Sequence, residues 1–472
     1  MRDQRAEVSL TISPQERYES SPVDSRDFRI LVMGDFSARG DDAPLGKDGP
    51  RRIDRDDLDA HLARIAPRLR IDLDGTTVDL AFASMEDFAP DRLAARLAAL
   101  ETTRFSAKAA GPSGPTIDPV HSPPAADVAR VVSGASLLDD MLDDETPAPR
   151  RSDELSAFVE RAVAPHLIRP PDRETVARAN AQQREMATSL RRVLHHARVQ
   201  ALESAWRAME LLVRRLDTDG ELRLFLFDVP RDHVATALER LAQQRNAADP
   251  ESWAIAISLH AYPQGDAGAE LLARIAMAAR GLDTPVVAAA PPSFAGRASA
   301  AELDDDTPAA PPPEVYALIR RSLEGRFLGL TFPRLMLRAP YGRDNPAEAM
   351  ELEELDDPER HEDYLWGSGA AAVALLVGQA FNERGWAIGS QIPLDVASLP
   401  YFTFARGPET VAKSCAEVVM SERVARHLLS RGIMPLAWIK DSDRVRLVEL
   451  RSVADPATPL AAPWANAAGS RA

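Results

Sequence analysis

Residues 202–229, LESAWRAMELLVRRLDTDGELRLFLFDV, set two periodicities end to end. Leu202, Ala205, Trp206, Met209, Leu212 and Leu216 form one apolar stripe, which predicts an amphipathic helix over 199–216 with Trp206 buried on it. ELRLFLFDV then reads as a strand. Downstream come a helix near 231–245, SWAIAISLH as a strand, a helix near 267–280 and TPVVAAA as a strand. Alternating strands and helices of this kind predict a mainly parallel sheet covered by helices, and so an α/β fold.

The same reading extends outward in both directions. Upstream lie helical segments at 152–163 and 172–197. Downstream lie a helix at 314–323, a Gly- and Ala-rich helix at 367–384, and the strands IMPLAWIK and VRLVELR. Near the start, FRILVMGDFS (28–37) reads as a strand, and 54–70 as a helix with Leu58, Leu62, Ile65 and Leu69 at helical spacing. TTVDLAFAS reads as a further strand, and PDRLAARLAALETTRF opens a helix with proline in its first turn. The expected organisation is an arm (1–27), a small βαβα unit (28–104), a Pro- and Ala-rich linker (105–150) with a short helix at 136–142, a larger mixed α/β domain with N-terminal helices (151–455), and a flexible tail (456–472). The small unit has under about 80 residues and buries little alone, so it is expected to dock on the larger region.

Composition narrows the functional classes. Apolar residues make up 45% of the 472, yet no window approaches the run of about 18 that a membrane span needs. The first residues lack the apolar core of a secretory signal, so the expected location is the cytoplasm, with no membrane insertion. Cys415 is the only cysteine, which excludes an intramolecular disulfide and a thiolate cluster. A formal charge of −16 argues against a general nucleic-acid binder.

Candidate chemical sites are sparse. GDFSARG lacks the spacing of a phosphate loop and reads as a strand-ending turn. His195 and His196 are adjacent, so on a helix they point in different directions rather than at one metal. Gly367-Ser368-Gly369 lacks nucleophile-elbow spacing and reads as the start of a closely packed helix. LTFPRLMLRAPYGRDNP (330–346) places Arg334, Arg338 and Arg343 around Tyr341, with Arg326 upstream. Planar guanidinium forks suit an anion site, pairing with the nearby Glu351, Glu353 and Glu354, or a partner surface. Nothing beside them supplies a nucleophile or base. No cofactor, metal site or catalytic residue is expected; Trp206, Arg334, Arg338, Tyr341 and Trp366 are expected to serve structure.

Many segments resemble the contractile tail sheath of the type VI secretion system. FRILVMGDFS, IDRDDLDAHLARIAPRLR and LAFASMEDFAPDRLAARLAAL resemble the small subunit, TssB (VipA), over 28–104. SLLDDML, FVERAVAPHL, the opening stretch, TPVVAAAPPSFAG, GLTFPRLMLRAPYGRDNPAEAMELEE, YLWGSGAAAVALLVGQAFNERGW and VMSERVARHLLSRGIMPL resemble the large subunit, TssC (VipB), in order. The resemblance implies a non-enzymatic sheath component that packs with TssB, TssC or itself around an inner tube of Hcp. An alternative is a sheath-like adaptor or cap on the sheath or baseplate. It also implies that Leu137, Leu138, Met141 and Leu142 either engage the ClpV AAA+ ATPase or simply pack on a neighbouring domain. Relative to the family pattern the large-subunit portion reads as C-terminally shortened. VSLTIS (8–13) alternates like a donor strand, whereas the Pro-rich segment after Val453 is a poor one. Alone, the protein is therefore expected to be monomeric or to form short oligomers, and to join long sheaths beside full-length TssB and TssC.

Overall fold

The computed structural model describes residues 27–73, 75–109, 173–244, 252–304, 307–348, 350–388 and 392–464. Strand β1 (Phe28–Gly34) lies third from one edge of a nine-stranded sheet. Its run FRILVMG is apolar and buried except at Arg29, whose guanidinium lies over the Phe225 and Trp253 rings, as expected of a strand covered on both sides. Parallel neighbours flank it: β5 (Leu222–Asp228), with Phe28 opposite Leu222, and β6 (Trp253–Ser258), with Val32 opposite Ile257. Parallel pairing continues through β7 (Val286–Ala289) and β8 (Leu328–Phe332) to β14 (Ile433–Trp438). Antiparallel strands close both edges, β2 (Arg51–Ile53) beyond β5, and β15 (Val445–Leu447) then β11 (Asp395–Val396) beyond β14.

Helices cover the two faces. On one, α5 (Val234–Gln244), α6 (Gly265–Leu282), α7 (Glu314–Arg321) and α9 (Glu422–Ser430) share a core with Leu31, Met33, Val286, Leu328 and Leu330. On the other lie α4 (Ala197–Arg215) and α8 (Ala370–Arg384), which packs on β1, β5, β6 and β7. Helix α8 is buried from Ala370 to Gly378, so it needs small residues. A Cβ on Gly378 would lie 2.7 Å from Leu216 Cδ2, and one on Gly369 2.7 Å from the Pro333 carbonyl. The Gly-Ser-Gly motif thus starts a tightly packed helix.

The first region departs in detail from its reading. Helix α1 (Leu58–Ile65) ends at Ala66, which adopts the left-handed conformation before Pro67. Leu69, expected on that helix, instead lies in β3 (Arg68–Leu73), paired antiparallel with β4 (Thr76–Ala81). Leu69, Ile71, Val78 and Leu80 are buried at a period of two, and the Gly75 amide donates to Asp72 Oδ1 at 2.7 Å. Helix α2 (Pro90–Ala109) follows.

Residues 28–98 and 186–464 belong to one compact unit. The other unit, Ala99–Glu185, is described at residues 99–109 and 173–185, which are helical; the latter begin α3 (Arg173–Leu194). A loose tail from 456 does not fit residues 456–464. Leu460, Ala462 and Trp464 are buried, and the Trp464 ring lies 5.7 Å from that of Phe28. Burial of an aromatic ring outweighs the weak packing of the surrounding alanines and prolines. VSLTIS, the helix at 152–163 and the short helix at 136–142 with Leu137, Leu138, Met141 and Leu142 lie outside the described residues.

Candidate functional site: the seam and the buried arginine network

Contacts between residues far apart in sequence line the seam that joins the first hundred residues to the rest. Beyond the two β1 ladders, the loop GDFSARG is tied down on every side. The Asp228 carboxylate at the end of β5 accepts from the Ser37 amide at 3.1 Å and pairs with Arg39 at 2.9 Å. Asp35 accepts from the amides of Arg39 and Gly40 at 3.0 and 2.8 Å. Burial raises the Asp35 carboxyl above its ordinary range, and those two amides oppose the shift. The loop's amides therefore serve the protein's own carboxylates, which accounts for a phosphate-loop likeness without phosphate-loop chemistry.

Helix α4 supplies the other side. Trp206 is fully buried; its indole donates to the Phe36 carbonyl at 3.0 Å, and its ring meets Phe36 edge-on at 5.2 Å. Arg198, at the start of α4, donates to the carbonyls of Ala38 and Arg70, each at 3.1 Å. Arg231 pairs with Asp41 at 2.8 Å, and Arg240 donates to the Gly46 carbonyl at 2.7 Å. At the opposite end of β1, Phe28 stacks on Phe381 of α8 at 4.3 Å.

The inner face of α4 also carries Glu203, fully buried. Arg338, on β9 (Leu335–Arg338), donates to Glu203 at 2.8 Å and bidentately to Glu354 at 2.7 and 2.9 Å. Its guanidinium lies 4.3 Å from the Tyr341 ring, whose own amide donates to Glu354 at 2.7 Å. Burial opposes the Arg338 charge most strongly, yet Glu203 and Glu354 outweigh it and raise its pKa well above the usual value. Arg207 bridges Glu203 and Glu210. His195 sits 3.5 Å from Asp363 and 3.8 Å from Glu354, and burial lowers its pKa despite both carboxylates. His196 instead caps α4, its Nδ1 accepting from the Arg198 amide.

Arg334 belongs to a second cluster. It forks onto Glu417 at 2.9 and 2.6 Å rather than onto the 351–354 run. Burial resists ionisation of Glu417, but hydrogen bonds from Arg334 and His361 hold its carboxyl down at about 2. Trp366, on β10 (Leu365–Gly367), stacks on His361 at 4.8 Å and donates to its carbonyl. Of the residues singled out in the sequence, Trp206, Arg338, Tyr341 and Trp366 are buried, and Arg334 is half-exposed. Glu203 and Glu417 were missed because the arginines they hold, Arg338 and Arg334, lie 135 and 83 residues away; His361 was not singled out in the sequence. No group of metal-binding side chains occurs among the described residues. Burial pushes the Cys415 thiol up to about 11. Every carboxylate of the two clusters faces a cation, an arrangement that holds strands and loops in register.

Comparison with known proteins is consistent with this division of the chain. The family described as "EvpB/VC_A0108, tail sheath N-terminal domain" (VipB) matches residues 178–248 and 250–454. The family described as "Type VI secretion system, VipA, VC_A0107 or Hcp2" matches residues 2–104. The type VI secretion system sheath protein TssC1 of Pseudomonas aeruginosa is 28% identical over 290 residues, 56% of this chain and 58% of that protein. The chain thus spans a little over half the length of that relative. With more than half of its residues matched by the sheath model and its beginning matched by the VipA model, the chain belongs to the VipB tail sheath family and carries a VipA-like portion in the same polypeptide.

Proposed function

We propose that this protein is a structural protomer of a type VI secretion contractile sheath, working through packing with other sheath subunits and not through catalysis. The observation that carries the reading is β1. A strand from the VipA-matched region is hydrogen-bonded on both sides within the sheet of the VipB-matched region. The two portions, 28–104 and 151–455, then act as one protomer, with 1–27 as an arm and 105–150 as a linker.

Finer parts of the proposal follow from the family. The sheath would surround an inner tube of Hcp in the cytoplasm, with the baseplate at its end. Leu137, Leu138, Met141 and Leu142 would form the apolar side of a helix read by ClpV, since amphipathic helices commonly lie in apolar grooves. Leu138→Asp with Met141→Asp should abolish retention of the full chain on immobilised ClpV; undiminished retention removes this part. For the main reading, the tagged protein is co-expressed with full-length TssB and TssC and located by electron microscopy. Label along the sheath is expected. Label confined to sheath ends would make the protein an adaptor or cap, and its absence from sheaths would overturn the proposal.

A further inference from the structure

In the clusters around Arg338 and Arg334 each arginine meets a carboxylate. Arg451 does not. It is buried, only 8% exposed, and has no ion pair among the described residues. Its one side-chain hydrogen bond runs from Nε to the Ser452 carbonyl at 3.4 Å, the long end of the range. Its terminal nitrogens are not among the enclosed atoms that lack a partner, so they open to solvent. A buried charge is ordinarily paired, because an unpaired one carries its full desolvation cost.

Two more guanidiniums converge on the same corner. Arg320, in the last turn of α7, donates to the carbonyls of Val453 and Ser430 at 3.1 and 3.0 Å. Arg431, which ends α9, donates to the Ala310 carbonyl at 3.0 Å. Backbone groups draw these elements together. The Tyr316 hydroxyl donates to the Arg431 carbonyl at 2.8 Å, and the Asp455 amide to the Arg320 carbonyl at 2.7 Å. Gly432, at a φ of 76°, has no room for a side chain: a Cβ there would lie 2.7 Å from the Val453 carbonyl oxygen and 3.1 Å from Arg320 Nε. Burial raises the pKa of the Tyr316 hydroxyl, and Arg320, Arg451 and Arg431 all oppose the rise, so the three charges surround that ring. Burial first, and Arg320 second, lower the pKa of Arg431. Against these cations stand exposed Asp455, 3.6 Å from Arg320, and the negative ends of α7 and α9. Each helix end supplies about half a charge, which leaves a surplus of about one positive charge.

We propose that Arg320, Arg431 and Arg451 form a binding site for a phosphate group at the corner where α7, α9 and residues 451–455 meet. Each guanidinium has five N–H donors, and most of them are unused here: Arg431 and Arg451 each spend one on the protein and Arg320 two. A phosphate group brings several oxygens and up to two negative charges to those forks, whereas a carboxylate would occupy one fork and leave the others. Free inorganic phosphate and the phosphate of a nucleotide share this chemistry. The site lies outside both carboxylate clusters and does not depend on the sheath reading.

The test is isothermal titration calorimetry of the full-length protein in chloride at fixed ionic strength, with inorganic phosphate in one arm and AMP in the other. Saturable binding of one phosphate group per chain is expected. Tighter binding of inorganic phosphate would identify the free anion as the ligand, and tighter binding of AMP a phosphate ester. Arg451→Met keeps the buried stem and removes the charge. Arg431→Gln changes a half-buried residue and keeps the proposal testable should Arg451→Met fail to fold. Each should weaken binding at least about tenfold, the loss of a charge-assisted donor. Arg64→Gln, exposed on α1, should leave it unchanged. No saturable binding of either probe by wild-type protein, wild-type affinity in the Arg431 variant, or an equal loss in the Arg64 variant would each overturn the proposal.

Discussion

The two charged clusters of LTFPRLMLRAPYGRDNP lie four residues apart in sequence and differ in kind. Arg338 is buried with Glu203 and Glu354, tying β9 and its loop to α4, the helix that also seats Phe36 of the first region on Trp206. Arg334 is half-exposed and holds one carboxylate, Glu417, at a corner shared with His361 and Trp366. Arg334 lies just before β9 and Arg338 at its end, and environment then sets what the same guanidinium contributes. The inner cluster belongs to the assembly of the protomer, the outer one to local register.

The largest effect should come from the seam. Trp206→Ala removes a fully buried ring and leaves the Phe36 carbonyl without its donor, at a cost of about 3–5 kcal/mol. Chemical denaturation of the full chain checks this. A change within error would mean that α4 does not hold the first region.

Arg338→Ala should follow closely, since removing one partner of a buried pair leaves uncompensated charge and typically costs about 3–5 kcal/mol. The loss should appear as a lower denaturation midpoint at neutral pH. A cost below about 1 kcal/mol would place Arg338 with the surface pairs and erase the contrast between the clusters.

How much of this was legible follows the range of each interaction. Trp206 was found by period alone, because a helix stripe is a local pattern. The strand character of β1 was equally plain, but its place between β5 and β6 rests on pairing with residues about two hundred positions away, which no local pattern encodes. The β3–β4 hairpin was missed for the opposite reason. Leu69 satisfies the helical period of Leu58, Leu62 and Ile65, and that accident concealed the alternation of Leu69 with Ile71. In the candidate site, the charge of Arg334 and Arg338 was visible. So was one partner, Glu354, which takes both arms of Arg338; Glu203 and Glu417 were not, since they lie 135 and 83 residues from Arg338 and Arg334.

The outer cluster can be examined through pH. The Glu417 carboxyl lies at about 2 in the folded chain, below its ordinary 4.5. A depressed carboxylate contributes stability that is fully present above the unfolded value and is lost as pH falls through the folded one. Wild-type protein should therefore lose this contribution between about pH 4.5 and 2, and Glu417→Gln should be less stable at pH 7 with a shallower acid decline over that window. Parallel declines for the two proteins would show that Glu417 does not carry the acid sensitivity.

The smallest and sharpest comparison keeps the charge and changes its shape. Arg334 meets Glu417 through Nε and Nη2 at once, and lysine offers a single ammonium that cannot reproduce the fork. Because Arg334 is half in solvent, Arg334→Lys should cost only about 0.5–1 kcal/mol, within the range of exposed pairs. Water can satisfy the lost donor there. At Arg338 the same substitution meets no water: one ammonium must serve Glu203 and both oxygens of Glu354 in a buried site, so the loss should be several times larger. Denaturation midpoints of the two lysine variants, measured side by side, give the ratio directly. Equal losses would mean that burial does not distinguish the clusters, and that the shared guanidinium chemistry, not the surroundings, sets their contribution.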